Sequence, residues 1–395
     1  MGWSIKQGIG LTHHDEKRTC KGYTLVTPVG SDNTLLLDMA GRVVHRWVFE
    51  EIKPFNARLL DNGNLLALGT DASIVPPRHE LGEVPPPVPD RYRIMGGGGT
   101  HLLELDWDGN EVWRYESPGI HHDFVRLANG NTIVPVWVEM PEAAAKPVRG
   151  GLRRPREKYP PMISDDFLEI DPAGNEVARL HLWELLDPRL DPICPLERKW
   201  EWTHTNSLDL TRDGHLLFSC RQNSRVGIID RDKRELLWKY GYPDVVHQHH
   251  ASALPNGNVQ IFDNGMHRPA EMSYSRIVEV DPSNSSIVWE YAAQPREQFF
   301  SGHISGAERQ SNGNTLICEG TVGRVFEVTS RGEVVWEWIS PFVARRGEAD
   351  ISWIFRAHRY GLDHAALIGR SLDASVHAEF NQLHDLGGPL RRRFR

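Results

Sequence analysis

The chain has 395 residues and a net charge of −8 at neutral pH. This acidic balance offers no basic face for nucleic acid, and no segment reaches the roughly 18 consecutive apolar residues of a membrane helix. The first ten residues carry no apolar secretion segment, and the four cysteines are widely spaced with no CxxC pair. We therefore expect a cytoplasmic protein with reduced thiols and with no nucleic-acid or membrane partner.

A short aromatic motif recurs along the chain, in which a Trp is followed two residues later by Trp or Tyr. Its copies begin at Trp113, Trp238, Trp289 and Trp336, and degenerate copies lie at Trp47 and Trp183. Each copy follows a β-like run and a turn. A repeat of about 50 residues made of strands and turns is typical of a β-propeller. A β-sandwich would not repeat one aromatic motif at this spacing, and we interpret the markers as core between blades.

A second motif alternates with the first and consists of an Asn-Gly or Asp-Gly turn between apolar runs. Its glycines are Gly63, Gly130, Gly214, Gly257 and Gly313. Asn-Gly favours a type I′ hairpin, in which both central residues take positive φ. A second hairpin with an Asp-x-x-Gly turn completes four strands per repeat. The pattern predicts an all-β fold, a six-bladed β-propeller with four-stranded blades, or seven blades if the segment 140–200 contains another.

We expect a single propeller domain over residues 1–395, interrupted at three places. Residues 76–100 carry proline and glycine runs, and residues 140–163 carry a basic run. Long loops in compact folds are often lids over a site, or else disordered insertions. The tail at 371–395 is expected to form a short helix packed on the fold or an interaction segment.

Histidines concentrate just before the Asn-Gly turns. His122 and His249 each lie eight residues before the turn glycine, and His204 and His303 each lie ten before it. This segment should form the innermost strand of a blade, so that equivalent positions converge on one axis and form a site. The pair His247 and His249 would place both rings on one face of a strand, which favours a metal.

Polar side chains accompany these histidines. The candidate substrate-binding residues are His122, Asn206, Arg221, Arg276, Arg356 and His358. Arginines beside neutral imidazoles suit an anionic substrate, because a guanidinium donates paired hydrogen bonds to it. Carboxylates are scarce in the same motifs, where only Asp123 and Glu308 are near. This scarcity argues against a glycosidase pair.

Two chemistries fit these residues. In the first, a histidine accepts a sulfuryl or phosphoryl group and passes it to a second substrate, with no cofactor. In the second, Zn, Fe, Mn or Cu supports a lyase, hydrolase or oxygenase acting on a small aromatic compound. The metal ligands would then be His122, His204, His249 and His303. A propeller that only binds proteins would leave the histidines unexplained.

Several stretches between about residues 23 and 366 resemble a known family. They include Trp202-Thr-His-Thr-Asn206, Ser219-Cys-Arg221, Gln248-His249 and Phe355-Arg-Ala-His358. The chain is similar in them to the bacterial arylsulfotransferase-like proteins. The resemblance implies a six-bladed propeller that moves a sulfuryl group from a phenolic sulfate ester to another phenol. It also implies a sulfated histidine and no nucleotide donor.

The resemblance further implies roles for individual residues. His204 and Asn206 occupy a His-x-Asn position, and His249 occupies a Gln-His position. Arg276 or Arg221 would bind the sulfate. The expected catalytic histidines are His303, His249 and His204, with His303 as the nucleophile and His249 as second choice.

Overall fold

The computed structural model describes residues 8–74, 90–152, 160–269, 272–346 and 349–386. It is an all-β propeller of six four-stranded blades, which confirms the predicted fold. The segment 140–200 contributes two strands to the third blade, and its described part adds no seventh blade. In the ranges that the structure describes, no helix is long and apolar enough to span a bilayer.

The strands follow one another blade by blade, after an opening strand β1 (Gly10–His14). Blade I contains β2 (Gly22–Pro28), β3 (Asn33–Leu37) and β4 (Val43–Val48). Blade II contains β5 (Ile52–Leu59), β6 (Leu65–Asp71), β7 (His101–Leu105) and β8 (Glu111–Glu116). Blade III contains β9 (Val125–Arg126), β10 (Thr132–Glu139), β12 (Ile163–Ile170) and β13 (Glu176–His181), with β11 (Gly150–Leu152) outside it.

The remaining blades are as regular. After β14 (Ile193–Arg198), which pairs with β11, blade IV contains β15 (Thr205–Leu210), β16 (Leu216–Cys220), β17 (Arg225–Asp230) and β18 (Glu235–Gly241). Blade V contains β19 (His249–Ala253), β20 (Val259–Asp263), β21 (Arg276–Asp281) and β22 (Ser286–Tyr291). Blade VI contains β23 (Gly306–Arg309), β24 (Thr315–Glu319), β25 (Arg324–Val328) and β26 (Val334–Ile339). A hairpin, β27 (Ala344–Arg346) with β28 (Ala349–Ile351), precedes β29 (Ile354–Gly361).

The helices are short. They are α1 (Glu142–Ala145), α2 (Leu182–Leu185) and α3 (Ala378–Leu383), with single 3₁₀ turns elsewhere. In the tail, Asn381 of α3 is buried and holds the backbone of Val43, accepting from its N–H at 2.8 Å and donating to its C=O at 3.0 Å. The described part of the tail is therefore a short helix packed on the fold; residues 387–395 lie outside the description.

The chain divides into two compact units. Unit 1 comprises residues 1–67, 103–113 and 291–395, and unit 2 comprises residues 68–102 and 114–290. Apolar side chains fill the core of each unit, and inner strands such as β16, β20 and β24 are buried at every position because both faces of their sheets are covered. In unit 1 they include Leu36, Trp47, Leu316, Trp336 and Trp338; in unit 2 they include Phe167, Trp202, Phe218, Val226 and Ile261.

The aromatic markers lie mostly on the last strand of a blade, and their burial is uneven. Trp47, Trp336 and Trp338 are buried, whereas Trp113 and Trp238 are half-buried. The interpretation of the markers as core between blades therefore holds only for part of the set.

The Asn-Gly turns adopt one conformation, and it is not the predicted type I′. The turn glycine has φ between +80° and +90° in all five copies, while the preceding Asn or Asp is not left-handed. In the first copy the N–H of Gly63 donates to the C=O of Leu60, and the N–H of Leu60 donates to the C=O of Asn64. The loop therefore has three residues and ends at a left-handed glycine, so only that glycine needs positive φ.

A hydrogen bond to a glutamate ties most of these turns to the third strand of the same blade. The Asn after the turn glycine donates its amide to that carboxylate. The pairs are Asn64–Glu104, Asn131–Glu169, Asn258–Glu279 and Asn314–Glu327, at 2.6 to 2.8 Å. In each of these blades the hydrogen bond therefore holds the first hairpin against the second. A hydrogen bond to a charged carboxylate is stronger than one to a neutral acceptor.

Side chains on the first strands, or just before them, accept backbone N–H groups from the following blade. Within unit 2, Asp123 accepts from the N–H of Leu208 at 3.0 Å, and Ser207 accepts from the N–H of Ala251 at 2.9 Å. Within unit 1, Glu308 accepts from the N–H of Arg359 at 2.9 Å. The first strand of a sheet has one unpaired edge, and a buried N–H without an acceptor is costly.

In unit 1, two blades combine strands from the N-terminal and C-terminal regions of the described chain. β29 pairs antiparallel with β2, so blade I takes its first strand from the C-terminal region and its other three from the N-terminal region. β1 pairs antiparallel with β26 and adds a fifth strand to blade VI. Arg359 of β29 is buried and pairs with Glu327 of β25.

We predict that Asn314→Ala lowers the free energy of unfolding by roughly 2–3 kcal/mol, because it removes a donor from the fully buried carboxylate of Glu327. The matched change Asn131→Ala should cost about 1 kcal/mol, because Glu169 is partly exposed and water can replace the lost donor. Urea unfolding of both variants measures the difference. Equal losses would contradict the role assigned to burial.

Candidate active site

Several histidines of unit 2 lie where the chain enters the first strand of a blade, and the backbone there is unusual. His122, which precedes β9, and His204, which precedes β15, both have φ of 58°. Thr203 has φ of 98°, which is rare for a β-branched residue. Strained backbone of this kind persists only where its surroundings hold it in place, and it clusters at functional sites.

Neighbouring contacts hold this strained segment. The N–H of Trp202 donates to the C=O of Ile163, while the C=O groups of Thr203 and His204 accept from the N–H groups of Gln222 and Arg221. The Trp202 indole is fully buried and donates to the C=O of Asp191 at 2.7 Å. These hydrogen bonds fix the chain on both sides of Thr203 and His204, so the two residues have little conformational freedom.

His122 and His204 form the centre of the cluster. Their ring centroids lie 4.6 Å apart with the rings nearly perpendicular, and the two residues are 3% and 8% exposed. His204 Nδ1 lies 2.5 Å from Oε1 of Glu201, and His122 Nδ1 lies 2.8 Å from Nδ1 of His121. A carboxylate at Nδ1 requires a proton on that nitrogen, so the lone pair of neutral His204 is on Nε2.

A second carboxylate supports His121. Asp165 is fully buried, and its Oδ1 lies 3.1 Å from Nε2 of His121. Its Oδ2 accepts from the hydroxyls of Thr203 and Thr205 and from the N–H of Thr205, at 2.6 to 2.9 Å. The His121 ring also stacks on Trp137 with a centroid distance of 4.3 Å.

The protonation states follow from burial. Burial lowers the pKa of His121 below its ordinary value, although Asp165 opposes this shift. Burial alone would raise the pKa of Asp165, but hydrogen bonds from His121, Thr203 and Thr205 hold that pKa below its ordinary value. At neutral pH the pair is therefore a neutral imidazole beside a carboxylate.

A glycine run covers His122. The N–H of His122 donates to the C=O of Gly97 at 2.8 Å, and Gly97 has φ of +78°. A Cβ on Gly97 would lie 2.2 Å from Nε2 of His122. Residues 96–99 belong to the segment 76–100, which was expected to be a lid; residues 75–89 of it lie outside the description. The lid hypotheses for this segment and for 140–163 stay predictions.

Arg221 connects the cluster to a second polar group. Its guanidinium donates to Oε1 of Glu197 at 2.7 Å and to Oε1 of Gln222 at 3.3 Å. Gln222 in turn donates to Oε2 of Glu201, the carboxylate that holds His204. Three polar contacts therefore connect the Arg221 guanidinium to His204, and the role of Arg221 in binding an anion stays a prediction.

The other predicted residues of unit 2 have partners that fix the blades. Asn206 is buried and donates to the C=O of Gln248 at 2.8 Å, and His249 Nδ1 lies 2.8 Å from Oδ1 of Asn264. All three nitrogens of the Arg276 guanidinium donate, to Asp263, to Glu290 and to the C=O of Asp244. The roles assigned to these three residues stay predictions.

The remaining predicted residues belong to unit 1. His303 is half-buried and lies edge-on to Trp353, with centroids 4.6 Å apart. His358 Nδ1 lies 3.7 Å from Oε1 of Glu308, and the Arg356 guanidinium lies over the ring of Phe355. Their roles, and the use of His303 as nucleophile, are also still predictions.

Two expectations about this region are wrong. Carboxylates are not scarce around the histidines, because Asp165 and Glu201 both contact them. His247 and His249 do not share one strand, because His247 precedes β19 and has φ of 52°. Glu201 lies only three residues before His204, so the sequence could have indicated it. Asp165 lies far from His121 along the chain, so no local signal in the sequence marks it.

Comparisons with known proteins concern the family to which the chain belongs and its fold. The family model described as "Arylsulfotransferase (ASST)" matches residues 90–341. The arylsulfate sulfotransferase AssT of Escherichia coli O6:H1 (strain CFT073) is 23% identical over 314 residues, which cover 58% of this chain and 50% of the relative. The chain therefore spans about half the length of this curated relative.

Solved structures bear on the fold alone. A protein of unknown function from Bacteroides caccae has a TM-score of 0.52 and 14% identity, covering 86% of this chain and 98% of its own. A virginiamycin B lyase from Staphylococcus aureus has a TM-score of 0.46 and 11% identity, covering 88% and 92%. The second likeness is too weak to carry an argument.

The fold and the site define a β-propeller with buried, carboxylate-supported histidines at the entrances to its blades. Because the family model matches more than half of its length, the chain belongs to the arylsulfotransferase family.

We predict that His121 makes the protein less stable as the pH falls below 6.5, the ordinary pKa of the group. Unfolded His121 binds a proton there while the buried ring does not, so the unfolding free energy falls by up to about 1.4 kcal/mol per pH unit. His121→Asn should reduce this slope, and His13→Asn at the exposed surface should not. Urea unfolding at several pH values measures both, and unchanged slopes would disprove the prediction.

Proposed function

We propose that the protein transfers a sulfuryl group from an aryl sulfate ester to a second phenol through a histidine. Membership of the arylsulfotransferase family supports the reaction class. The observation that carries the assignment is the contact between Glu201 and His204, which directs the lone pair of a buried imidazole away from its carboxylate. The substrates are small aromatic compounds, and sulfuryl transfer itself requires no metal.

His204 is the nucleophile that the geometry favours. In the first half of the reaction, Nε2 attacks sulfur, the N–S bond forms and the S–O bond to the aryl oxygen breaks. The phenolate leaves with the electron pair and takes a proton from His122, which recovers a proton in the second half. Positive charge develops on the imidazole, and Glu201 at Nδ1 stabilises it.

The second half returns the enzyme to its starting state. The acceptor hydroxyl attacks sulfur, the N–S bond breaks and its electron pair returns to Nε2. His122, whose ring lies 4.6 Å from that of His204, takes the hydroxyl proton. Arg221 would balance the charge on the sulfuryl oxygens, a role that bidentate guanidinium groups suit.

The resemblance assigned the nucleophile to His303 instead, and that assignment remains an alternative within the same function. The metal-dependent lyase, hydrolase or oxygenase has less support, because the family to which the chain belongs is named for sulfuryl transfer.

Trapping the intermediate tests the proposal. The protein is incubated with 4-nitrophenyl sulfate without an acceptor, kept from acid and analysed by intact mass and peptide mapping. We expect an increase equal to one sulfuryl group on the peptide that contains His204. His204→Ala should lack the adduct, while His215→Ala, a histidine at a turn of the same blade, should keep it.

The other outcomes are equally informative. An adduct on the peptide with His303 would move the nucleophile to that residue and retain the function. A protein that neither forms an adduct nor transfers sulfate to any of a panel of phenols would refute the function.

We also predict that Gly97→Ala lowers kcat/KM for aryl sulfates by roughly tenfold to a hundredfold. The added Cβ would overlap the His122 ring, and displacing a catalytic group by about 1 Å has effects of this size. Gly96→Ala is the control, because a Cβ there meets no atom within 4 Å. Equal activity of the two variants would rule out the placement of His122 in the reaction.

A further inference from the structure

We propose that unit 2 contains a zinc site formed by Cys194, His247 and His267, with Glu197 as the fourth ligand. These residues differ from the four histidines that the sequence suggested as metal ligands. Cys194 and Glu197 lie on β14, His247 lies just before β19, and His267 lies in the loop after β20. The inference does not depend on the sulfotransferase proposal.

The distances fit a tetrahedral ion. One ligand atom from each of Cys194, His247 and His267 lies within 4.8 Å of the others, and Cys194 Sγ is 3.6 Å from Nδ1 of His267. Bonds of about 2.3 Å from zinc to sulfur and about 2.0 Å to nitrogen place such atoms roughly 3.5 Å apart. The three side chains therefore need only small rotations to close on an ion.

Glu197 supplies a fourth donor at similar separation. Its Oε1 lies 3.7 Å from Nδ1 of His247 and 3.8 Å from Nδ1 of His267. The same oxygen accepts from Arg221 at 2.7 Å, so this guanidinium is the cation that competes with the metal. A carboxylate has two oxygens, and Glu197 can keep Arg221 on one of them while the other binds the ion.

His247 gives independent support. It is fully buried, and neither of its ring nitrogens has a hydrogen-bond partner among the described residues. Buried polar nitrogens are satisfied in the great majority of cases, and one without a partner calls for an explanation. A bond from one ring nitrogen to a metal would supply the missing contact.

The donor set also selects the ion. One thiolate and two imidazoles suit zinc and not magnesium or calcium, which prefer oxygen ligands. A thiolate and a carboxylate together neutralise the two charges of the ion. The side chains of His267 and Glu197 are 20% and 17% exposed, which gives the ion a path from solvent to the buried ring.

The test uses the full chain expressed without a histidine tag. After dialysis against a chelator, the protein is titrated with zinc, and bound metal is measured by elemental analysis. We expect about one zinc per chain and a higher melting temperature in its presence. With cobalt in place of zinc, a thiolate-to-metal charge-transfer band should appear in the near ultraviolet.

Variants assign the ligands. Cys194→Ser should remove the charge-transfer band, and both Cys194→Ser and His267→Gln should lower zinc affinity at least about a hundredfold. Cys318→Ser and His215→Gln, which change a cysteine and a histidine elsewhere, should bind as the parent does. Circular dichroism checks that each variant is folded. Because the parent protein is titrated directly, a misfolded variant does not remove the test.

Two results would overturn the site. The first is a parent protein that binds no zinc, or binds it no more tightly than the ligand variant Cys194→Ser does. The second is binding that survives intact in both ligand variants. Sulfuryl transfer is assayed separately on the metal-free parent, so failure of the zinc site and failure of the proposed reaction can be distinguished.

Discussion

The unpaired edge of the first strand in each blade is the constraint on which much of the structure depends. An open four-stranded sheet leaves a row of unpaired N–H and C=O groups at each of its two edges, and a row that is buried cannot rely on water. Three side chains supply the missing acceptors for N–H groups on the first strand of the following blade. They belong to Asp123, Ser207 and Glu308. Polar residues on these strands are thus required by the fold before any chemistry is considered.

The same constraint shapes the candidate site. The chain enters the first strands of blades III and IV through residues that leave the sheet geometry, and there the backbone of His122, Thr203 and His204 has positive φ. Buried acceptors such as Asp165 then fix both backbone and hydroxyl donors around the turn. Several hydrogen bonds fix the backbone that carries these histidine rings. This arrangement suits catalytic groups, which need one tautomer and one ring orientation.

The sequence predicts the repeats well because they are local. The spacing of turn glycines and aromatic markers gives four strands per blade and six blades, with a seventh left open by the segment 140–200, without knowledge of any long-range contact. The predicted type I′ turn was wrong because the Asn-Gly dipeptide does not determine the length of the loop. The observed loop has one residue more than a type I′ hairpin. The bond from Asn131 to Glu169 shows the same limit, since its two partners belong to different hairpins.

The site was less predictable for a physical reason. His122 and His204 were found because they recur at fixed distances from a turn. Asp165 is brought to His121 by the pairing of β10 with β12, two strands that the segment 140–162 separates along the chain. Cys194 and His267 lie outside the repeating strands, so no periodic signal marks them, and only the folded chain places their ligand atoms together.

The pairing of β29 with β2 has a consequence for how the chain reaches this state. Blade I takes one strand from residues 354–361 and three from residues 22–48, so it cannot be complete until residue 361 has left the ribosome. Contacts between residues so distant in sequence form slowly, because a very long loop must close first. During synthesis the early strands of blade I therefore remain an open sheet with an exposed edge, and it is in this interval that the protein is most exposed to aggregation.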